Sequence, residues 1–137
     1  MNKPEVIKKR TRTAQKKSKG QVEAEISSAL LTFEKEHMGR GPVDVRSHII
    51  EDMVLIRLKG VLTPAERHLA TDDAGTQLIK QVRAKLLENS CDILGDVITG
   101  ITGINVVSFH TDISTKAGER IIVITFEQDV EEKFSYS

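Results

Sequence analysis

Two apolar segments with a very short connection between them constrain this fold more than any other feature of the sequence. Residues 43–50 and 53–59 both have the composition of strands, and only Glu51 and Asp52 separate them. A parallel pair needs a crossover of about a dozen or more residues, so these segments are predicted to form an antiparallel hairpin. The connection contains no glycine, which leaves the type of turn open.

A second pair of strands lies near the C-terminus. Residues 104–113 and 120–127 are rich in β-branched side chains, and a short polar connection joins them. The same argument predicts a second antiparallel hairpin. Apolar residues fill successive positions, as in Ile121, Ile122 and Val123, so both faces of this hairpin are apolar. The residues expected to share one face of its first strand are Val107, Phe109 and Ile113.

Helical periodicity marks residues 21–37, where apolar side chains recur at spacings of three and four. The apolar stripe consists of Val22, Ile26, Ala29, Leu30 and Phe33. Glu34 and the other charged residues lie off this stripe, which predicts an amphipathic surface helix. Residues 39–42, Gly-Arg-Gly-Pro, end the helix, because glycine permits a positive φ and proline lacks a backbone donor.

Two further helices are predicted between the hairpins. Thr63, Pro64 and Glu66 form a helix start, with threonine as the N-cap and glutamate three residues later. A longer helix follows from about Thr76, and polar residues 89–92 are a weak point at which it is liable to divide. Two sets of apolar residues make this helix apolar over a wide arc, which predicts cover on more than one side. These sets are Leu78, Val82, Leu86, Ile93 and Val97, and Ile79, Leu87, Leu94 and Ile98.

The predicted order is helix-strand-strand-helix-helix-strand-strand, an α+β fold with an antiparallel sheet of about four strands from two hairpins. Its helices are too few to cover both apolar faces of the sheet, which predicts a homodimer. With 39% apolar and 29% charged residues the composition is that of a globular protein. No stretch of the sequence approaches the roughly 20 apolar residues that a membrane-spanning helix requires.

The formal net charge of zero conceals two oppositely charged parts. Residues 1–20 contain eight basic residues against Glu5 alone, a charge of +7, so residues 21–137 carry −7. The first part has too few large apolar residues to offset the entropy of ordering it. We therefore predict a basic, disordered tail, residues 1–20, followed by a single α+β domain, residues 21–137. The tail's candidate contacts with polyanions are Lys8, Lys9, Arg10, Arg12, Lys16, Lys17 and Lys19.

Three residues are candidate contacts for a ligand or partner. Arg40, between two glycines, is able to present its guanidinium to a carboxylate or phosphate. His110 and Asp112 are two residues apart on a strand, so they point to the same side and suit a proton relay. Each also has a structural explanation, Arg40 in a helix end and Asp112 in a turn. The sequence shows no catalytic set and no cofactor or metal motif, which favours a non-enzymatic protein.

The chain resembles a bacterial family first catalogued as a domain of unknown function and then named MpsC. The motifs that carry the resemblance, in order, are residues 39–42, 62–66, 102–103 and 110–115. The resemblance covers residues 19–128 and leaves the tail outside. It implies a small protein that associates with a sodium-translocating, membrane-potential-generating system, and it implies no catalytic residues.

These observations predict a non-enzymatic, cytoplasmic accessory protein that is homodimeric and works beside a membrane cation-translocating complex. Two alternatives stay open. In the first, the basic tail binds nucleic acid and the protein is a nucleic-acid-associated regulator; in the main prediction the same tail suits peripheral attachment to an anionic membrane surface. A small-ligand sensor or enzyme requires Arg40, His110 and Asp112 to converge on one pocket.

Overall fold

The computed structural model describes residues 17–135, and its elements follow the predicted order. The helices are α1 (Lys19–His37), α2 (Pro64–Leu69), α3 (Asp73–Thr102) and α4 (Val130–Phe134). The strands are β1 (Asp44–Ile50), β2 (Met53–Lys59), β3 (Val106–Ser114) and β4 (Glu119–Phe126). The predicted α+β fold class is confirmed. Short α4, after the last strand, was not predicted.

The strands form one antiparallel sheet in the order β1-β2-β4-β3. Both predicted hairpins are present, and the central strands β2 and β4 join them, with Ile56 opposite Ile122. The turn of the first hairpin lacks glycine, and there Glu51 adopts a φ of 53°. The backbone of this turn therefore takes a left-handed conformation that side chains seldom adopt.

One face of the sheet, here called the covered face, packs against α1 and α3. Alternate residues of the central strands point into this core: Val54, Ile56, Leu58, Ile122, Ile124 and Phe126. The predicted stripe of α1 packs on them, with Val22, Ile26, Leu30 and Phe33 buried. Each such side chain stabilises the fold by about 1.5–3 kcal/mol relative to an exposed one.

The opposite face, here called the open face, is built from the remaining alternate residues of all four strands. On β4 these positions are half-buried while their neighbours are fully buried. The open face consists of Asp44, Arg46, His48, Ile50, Met53, Leu55, Arg57, Lys59, Ser108, His110, Asp112, Ser114, Glu119, Ile121, Val123 and Thr125. Its central strands carry four apolar side chains, Met53, Leu55, Ile121 and Val123, so the sheet presents partly buried apolar surface on the side away from α1 and α3.

Helix α1 begins two residues earlier than predicted. The Ser18 hydroxyl accepts from the Gln21 amide, and the Gln21 side chain accepts in return from the Ser18 amide. This capping box satisfies two backbone donors and fixes the start at Lys19. The predicted exposure of Glu34 is wrong: it is fully buried, because two guanidinium groups face it across the core.

Helix α3 is continuous over Asp73–Thr102, so the expected division at residues 89–92 is wrong. Polar residues in a helix cost less than about 1 kcal/mol each, and burial of Leu87 and Leu94 on either side of this segment outweighs that cost. Of the two predicted apolar sets, the second is buried and the first is exposed by 37% to 51%. We call this exposed set, Leu78, Val82, Leu86, Ile93 and Val97, the α3 ridge.

The start of β3 differs from the predicted alternation. A bulge interrupts the pairing with β4 between Val106 and Ser108, and it turns Val107 outward, where it is 63% exposed. Phe109 packs against the core and Ile113 is buried, as expected for the covered face. The prediction that Val107 shares their face is therefore wrong, because the extra residue of a bulge shifts the alternation.

Helices α2 and α3 meet at a very close contact. The Asp72 side chain accepts from the Gly75 amide as the N-cap of α3, and a Cβ on Gly75 would lie 1.7 Å from the Leu69 carbonyl oxygen. This contact is between backbones, so it cannot be relieved by a side-chain rotation. The turn between α2 and α3 therefore requires glycine at position 75, because any larger side chain would clash with the α2 backbone.

We expect Gly75→Ala to destabilise the protein, because the added methyl group clashes with the α2 backbone. Gly100, in the same helix, has open space around the position of a Cβ. Gly100→Ala is the matched control, and it is expected to raise the free energy of unfolding by up to about 1 kcal/mol. Urea denaturation of both variants measures the difference. Equal effects of the two substitutions would contradict the contact.

Candidate functional site

Charged side chains lie inside the core, where α1, α3 and β4 meet. Glu34, Arg83 and Arg120 are each no more than 3% exposed. Arg120 Nη1 donates to Glu34 Oε2 at 3.0 Å, and its Nε donates to the Thr111 hydroxyl at 3.1 Å. On the other side of the carboxylate, Arg83 Nη1 lies 3.8 Å from Glu34 Oε1. One carboxylate of α1 is therefore held between guanidinium groups of α3 and β4.

Arg83 extends this cluster to α2 through a bidentate ion pair. Its Nε donates to Glu66 Oε2 at 2.9 Å, and its Nη2 donates to Glu66 Oε1 at 2.7 Å. The same Nη2 also donates to the Val61 carbonyl oxygen at 2.7 Å. Paired contacts of this kind fix the plane of the guanidinium as well as its position. We call Glu34, Glu66, Arg83 and Arg120 the buried ion network.

Glu66 has two roles. The predicted capping box is present, since the Thr63 hydroxyl accepts from the Glu66 amide and the Glu66 carboxylate accepts from the Thr63 amide. The same carboxylate binds Arg83, so the start of α2 is tied directly to α3. Thr63 thus supports the ion network by holding Glu66 in place.

The environment shifts the pKa values of the two carboxyls in opposite directions. Burial raises the pKa of Glu34, although Arg120 and Arg83 oppose this effect. Burial also acts on Glu66, but the hydrogen bonds from Arg83 and Thr63 outweigh it and lower the pKa of Glu66. The partners of Glu66 therefore favour its ionised form, whereas burial of Glu34 disfavours ionisation and the two guanidiniums offset only part of that effect.

A cavity of about 180 Å³ borders the buried ion network. Its lining includes Arg83 and Arg120 from the network, together with Lys80, Thr111 and Asp112. Within residues 17–135, the buried side-chain polar atoms without a hydrogen-bond partner are Glu34 Oε1 and Arg83 Nη1, which face each other. The cavity is therefore lined by three basic side chains, one carboxylate and the Thr111 hydroxyl group. The described residues contain no group of three His, Cys, Asp or Glu side chains that could hold a metal ion.

Asp112, a predicted site residue, lies at the rim of this cavity. Its carboxylate is 84% exposed, 3.9 Å from Lys80 Nζ, and accepts from the Ile113 amide at 2.9 Å. His110 lies on the same strand and the same face, with its Nε2 3.0 Å from the Ser108 hydroxyl. By strand alternation the two residues occupy positions of the same face of β3, but their side chains have different contacts, Ser108 for His110 and Lys80 of α3 for Asp112.

Arg40 lies elsewhere. It follows the end of α1, and its Nε donates to the Gly60 carbonyl oxygen at 3.2 Å, which ties this loop to the end of β2. Strand β4 lies between β2 and the strand that carries His110 and Asp112. Among the described residues, no hydrogen bond or ion pair joins Arg40 to either residue, and the cavity that Asp112 lines does not include Arg40.

The candidate polyanion contacts divide between the described and the undescribed part of the chain. Lys8, Lys9, Arg10, Arg12 and Lys16 lie outside the described residues. Lys17 binds Glu25 at 2.9 Å, and Lys19 binds Glu131 of α4 at 2.8 Å. These two lysines therefore contact acidic side chains of the folded part of the same chain.

Sequence reasoning missed Glu34, Arg83 and Arg120, although each interrupts an apolar pattern. Glu34 follows Leu30 by four residues on α1, and Arg83 lies midway between Ile79 and Leu87 on α3. Arg120 occupies the position of an alternating strand face that otherwise holds Ile122, Ile124 and Phe126. A charged residue at a core position is the signal that identifies them, because such a residue needs a charged partner there.

The two apolar sets of α3 show a related limit of sequence reasoning. Periodicity identifies both sets, but it cannot tell which one packs inside the chain, since both have helical spacing. Arg83 lies four residues after Ile79 and four before Leu87, on the side of the buried set. A charged residue that has partners in the core thus marks which apolar stripe is buried.

We expect Arg120→Met to lower the free energy of unfolding by about 3–5 kcal/mol, because Glu34 is left without its hydrogen-bonded partner in the core. Glu34→Met together with Arg120→Met is expected to be less destabilising than Arg120→Met alone. Chemical denaturation measures these values. Lys19→Met breaks an exposed ion pair and serves as control, with an expected loss below about 1 kcal/mol. Additive losses in the double variant would contradict the pairing.

We expect Glu66→Gln to destabilise the protein by about 1–3 kcal/mol at neutral pH, because it removes the charge that Arg83 binds. The pKa of Glu66 is lowered from 4.5, so ionised Glu66 stabilises the fold above pH 4.5, and this stabilisation is lost as the pH falls through its folded value. The stabilities of wild type and variant should therefore converge in acid. Denaturation at a series of pH values tests this, and a constant difference would contradict it.

Two comparisons with known proteins agree. Residues 18–128 match the family described as Na⁺-translocating membrane potential-generating system (MpsC). The chain is also 46% identical over 116 residues to a Bacillus subtilis (strain 168) protein named Uncharacterized protein YbcI, covering 85% of this chain and 94% of the relative. No solved structure matches the chain. The family match spans most of the chain and confirms the resemblance carried by its motifs. The chain therefore belongs to the MpsC family.

Proposed function

We propose that this protein is a homodimeric, non-enzymatic accessory protein of a Na⁺-translocating, membrane-potential-generating system. The observation that carries the proposal is the family match over residues 18–128, whose description names such a system. In this proposal the chain is cytoplasmic and reaches the membrane through a partner subunit. Among residues 17–135, no helix is both long and apolar enough to cross a bilayer.

The α3 ridge supports an interaction role. Its five apolar side chains are spaced along a helix of 30 residues, and each is between 37% and 51% exposed. An extended apolar surface of this kind is typical of a protein interface, since single exposed apolar residues are common but continuous stripes are not. The ridge therefore offers a long, straight surface to a helical or groove-shaped partner.

The buried ion network supports the same role by fixing the orientation of α3. Arg83 lies on the inward side of this helix, where it binds Glu66 of α2 and faces Glu34 of α1. A rotation of α3 about its axis would break these contacts and leave buried charges without partners. The network thus holds the α3 ridge outward and rigid, which lowers the entropy lost when a partner binds.

We expect Val82→Glu to weaken capture of the membrane complex at least tenfold, because a charge would be buried against an apolar partner. Gln81→Glu adds the same charge at the adjacent exposed position, off the ridge, and is the matched control. The measurement is affinity capture from detergent-solubilised membranes of the source bacterium at low salt. Membrane-embedded, cation-translocating subunits should accompany the wild type and the control.

A functional measurement complements the capture. Everted vesicles from a strain that lacks the gene should develop a smaller Na⁺-dependent membrane potential. Wild type and Gln81→Glu should restore the potential, and Val82→Glu should not. Capture of no membrane subunit by the wild type, or an undiminished potential in the deletion strain, would overturn the proposal.

A further inference from the structure

The side chains of the open face are aligned in rows across the four strands. The registers of the three strand pairs align its side chains in rows that run from β1 to β3. One row is Arg46, Arg57, Ile121 and Asp112, and the next is Asp44, Lys59, Glu119 and Ser114. The other two are His48, Leu55, Val123 and His110, and Ile50, Met53, Thr125 and Ser108.

Charge is divided between the two halves of this face. The β1-β2 half carries the basic residues Arg46, Arg57 and Lys59, with Asp44 as its acidic residue. The β4-β3 half carries the acidic residues Glu119 and Asp112 and no lysine or arginine among its described positions. Between them, the central strands contribute the apolar side chains. The face is thus mainly basic on the β1-β2 half and acidic on the β4-β3 half, and its central strands carry apolar side chains beside three of these charges.

A two-fold axis parallel to the strands makes this face complementary to itself. Such an axis exchanges β1 with β3 and β2 with β4 and leaves each row in place. Arg46 then faces Asp112 of a second copy. Lys59 faces Glu119 of that copy, whose carboxylate also binds Arg57 of its own chain. In the next row, Leu55 faces Val123, so the apolar middle is buried. Face-to-face sheets prefer strand directions within about 30° of each other, which this arrangement satisfies.

The other in-plane two-fold axis, perpendicular to the strands, gives a poorer match, in which Asp112 faces His110 but no lysine or arginine faces a carboxylate. It places each strand over its own reversed copy, so that Lys59 would face Met53 and Arg46 would face His48. Lys59 would then lie under an apolar side chain and Arg46 under a basic one, which costs free energy because these charges lose water without gaining a partner. Arg57 does not discriminate between the axes, since it faces Leu55 about this axis and Ile121 about the other. Charge complementarity therefore selects the axis parallel to the strands.

We propose that two copies of this chain pair through their open faces about a two-fold axis parallel to the strands. The inference rests on the homodimer of the proposed function and adds its interface and its pairing rule. Helix α3 lies on the covered face, so this pairing leaves both α3 ridges outside and free for another partner. The same side chains occur on both copies, so each contact is made twice.

Charge reversal tests the pairing rule. We expect Arg46→Asp or Asp112→Arg alone to raise the dimer dissociation constant at least tenfold, because each reversal places two like charges opposite each other twice. A mixture of the two single variants should form heterodimers. In such a heterodimer the introduced aspartate faces the introduced arginine in one contact, and the native pair forms the other. The double variant should also dimerise. Sedimentation velocity over a range of concentrations gives the dissociation constants.

The control is Arg67→Asp, an equal change of charge at an exposed position of α2, away from the open face. It should dimerise like the wild type. The two altered positions are exposed, and circular dichroism checks that each variant is folded. Their contacts within the chain are a 3.1 Å pair of Arg46 with Asp44 and the 3.9 Å contact of Asp112 with Lys80.

A monomeric wild type, or single variants that dimerise unchanged, would overturn the pairing. A mixture that stays monomeric would overturn it as well, because the expected opposite charges would then not meet. Capture of the membrane subunits by Arg46→Asp, compared with Val82→Glu, separates this failure from that of the proposed function. Loss of capture only with Val82→Glu places the membrane contact on the α3 ridge.

Discussion

The architecture depends on the buried ion network more than on any single apolar contact. Glu34 is fully buried, and the guanidiniums of Arg83 and Arg120 reach it from α3 and β4. Apolar contacts tolerate small rotations and shifts, whereas a buried carboxylate needs opposite charge close by, here one guanidinium at 3.0 Å and a second at 3.8 Å. Since Arg83 also binds Glu66, four elements must take up their positions together. The network therefore contributes specificity in the placement of α3, beyond whatever it contributes to stability.

That placement creates two apolar surfaces on opposite sides of the molecule. Arg83 faces inward, which leaves the α3 ridge facing outward along the helix. The sheet buries its covered face under α1 and α3, and no helix within residues 17–135 packs on the open face, whose β4 residues are half-buried. Two separate surfaces suit a protein that joins its own copy on one side and a different partner on the other.

Much of the fold was predictable because it follows from local rules. Only two residues separate β1 from β2, so the connection must be a hairpin. Thr63 and Glu66 form a capping box, which is a local signal for the start of a helix. The site was less predictable because it depends on long-range contacts. Glu34 and Arg120 are 86 residues apart in the sequence, and neither has a local partner that identifies it. Arg40 was predicted as a contact residue because of its flanking glycines. In the structure its guanidinium donates to the Gly60 carbonyl oxygen and so ties the loop after α1 to the end of β2.

Charge also limits where a second copy is able to bind. Residues 21–137 carry a formal charge of −7, so the acidic parts of two copies repel each other except where the +7 of residues 1–20 neutralises them. Three basic and three acidic residues balance on the open face, and they are separated into halves that a two-fold axis brings together. At physiological salt, charges are screened beyond about 8 Å, so the contacts across the interface outweigh the repulsion of distant groups. The open face is neutral, whereas residues 21–137 as a whole are acidic, so electrostatic repulsion between two copies is weakest where their open faces meet.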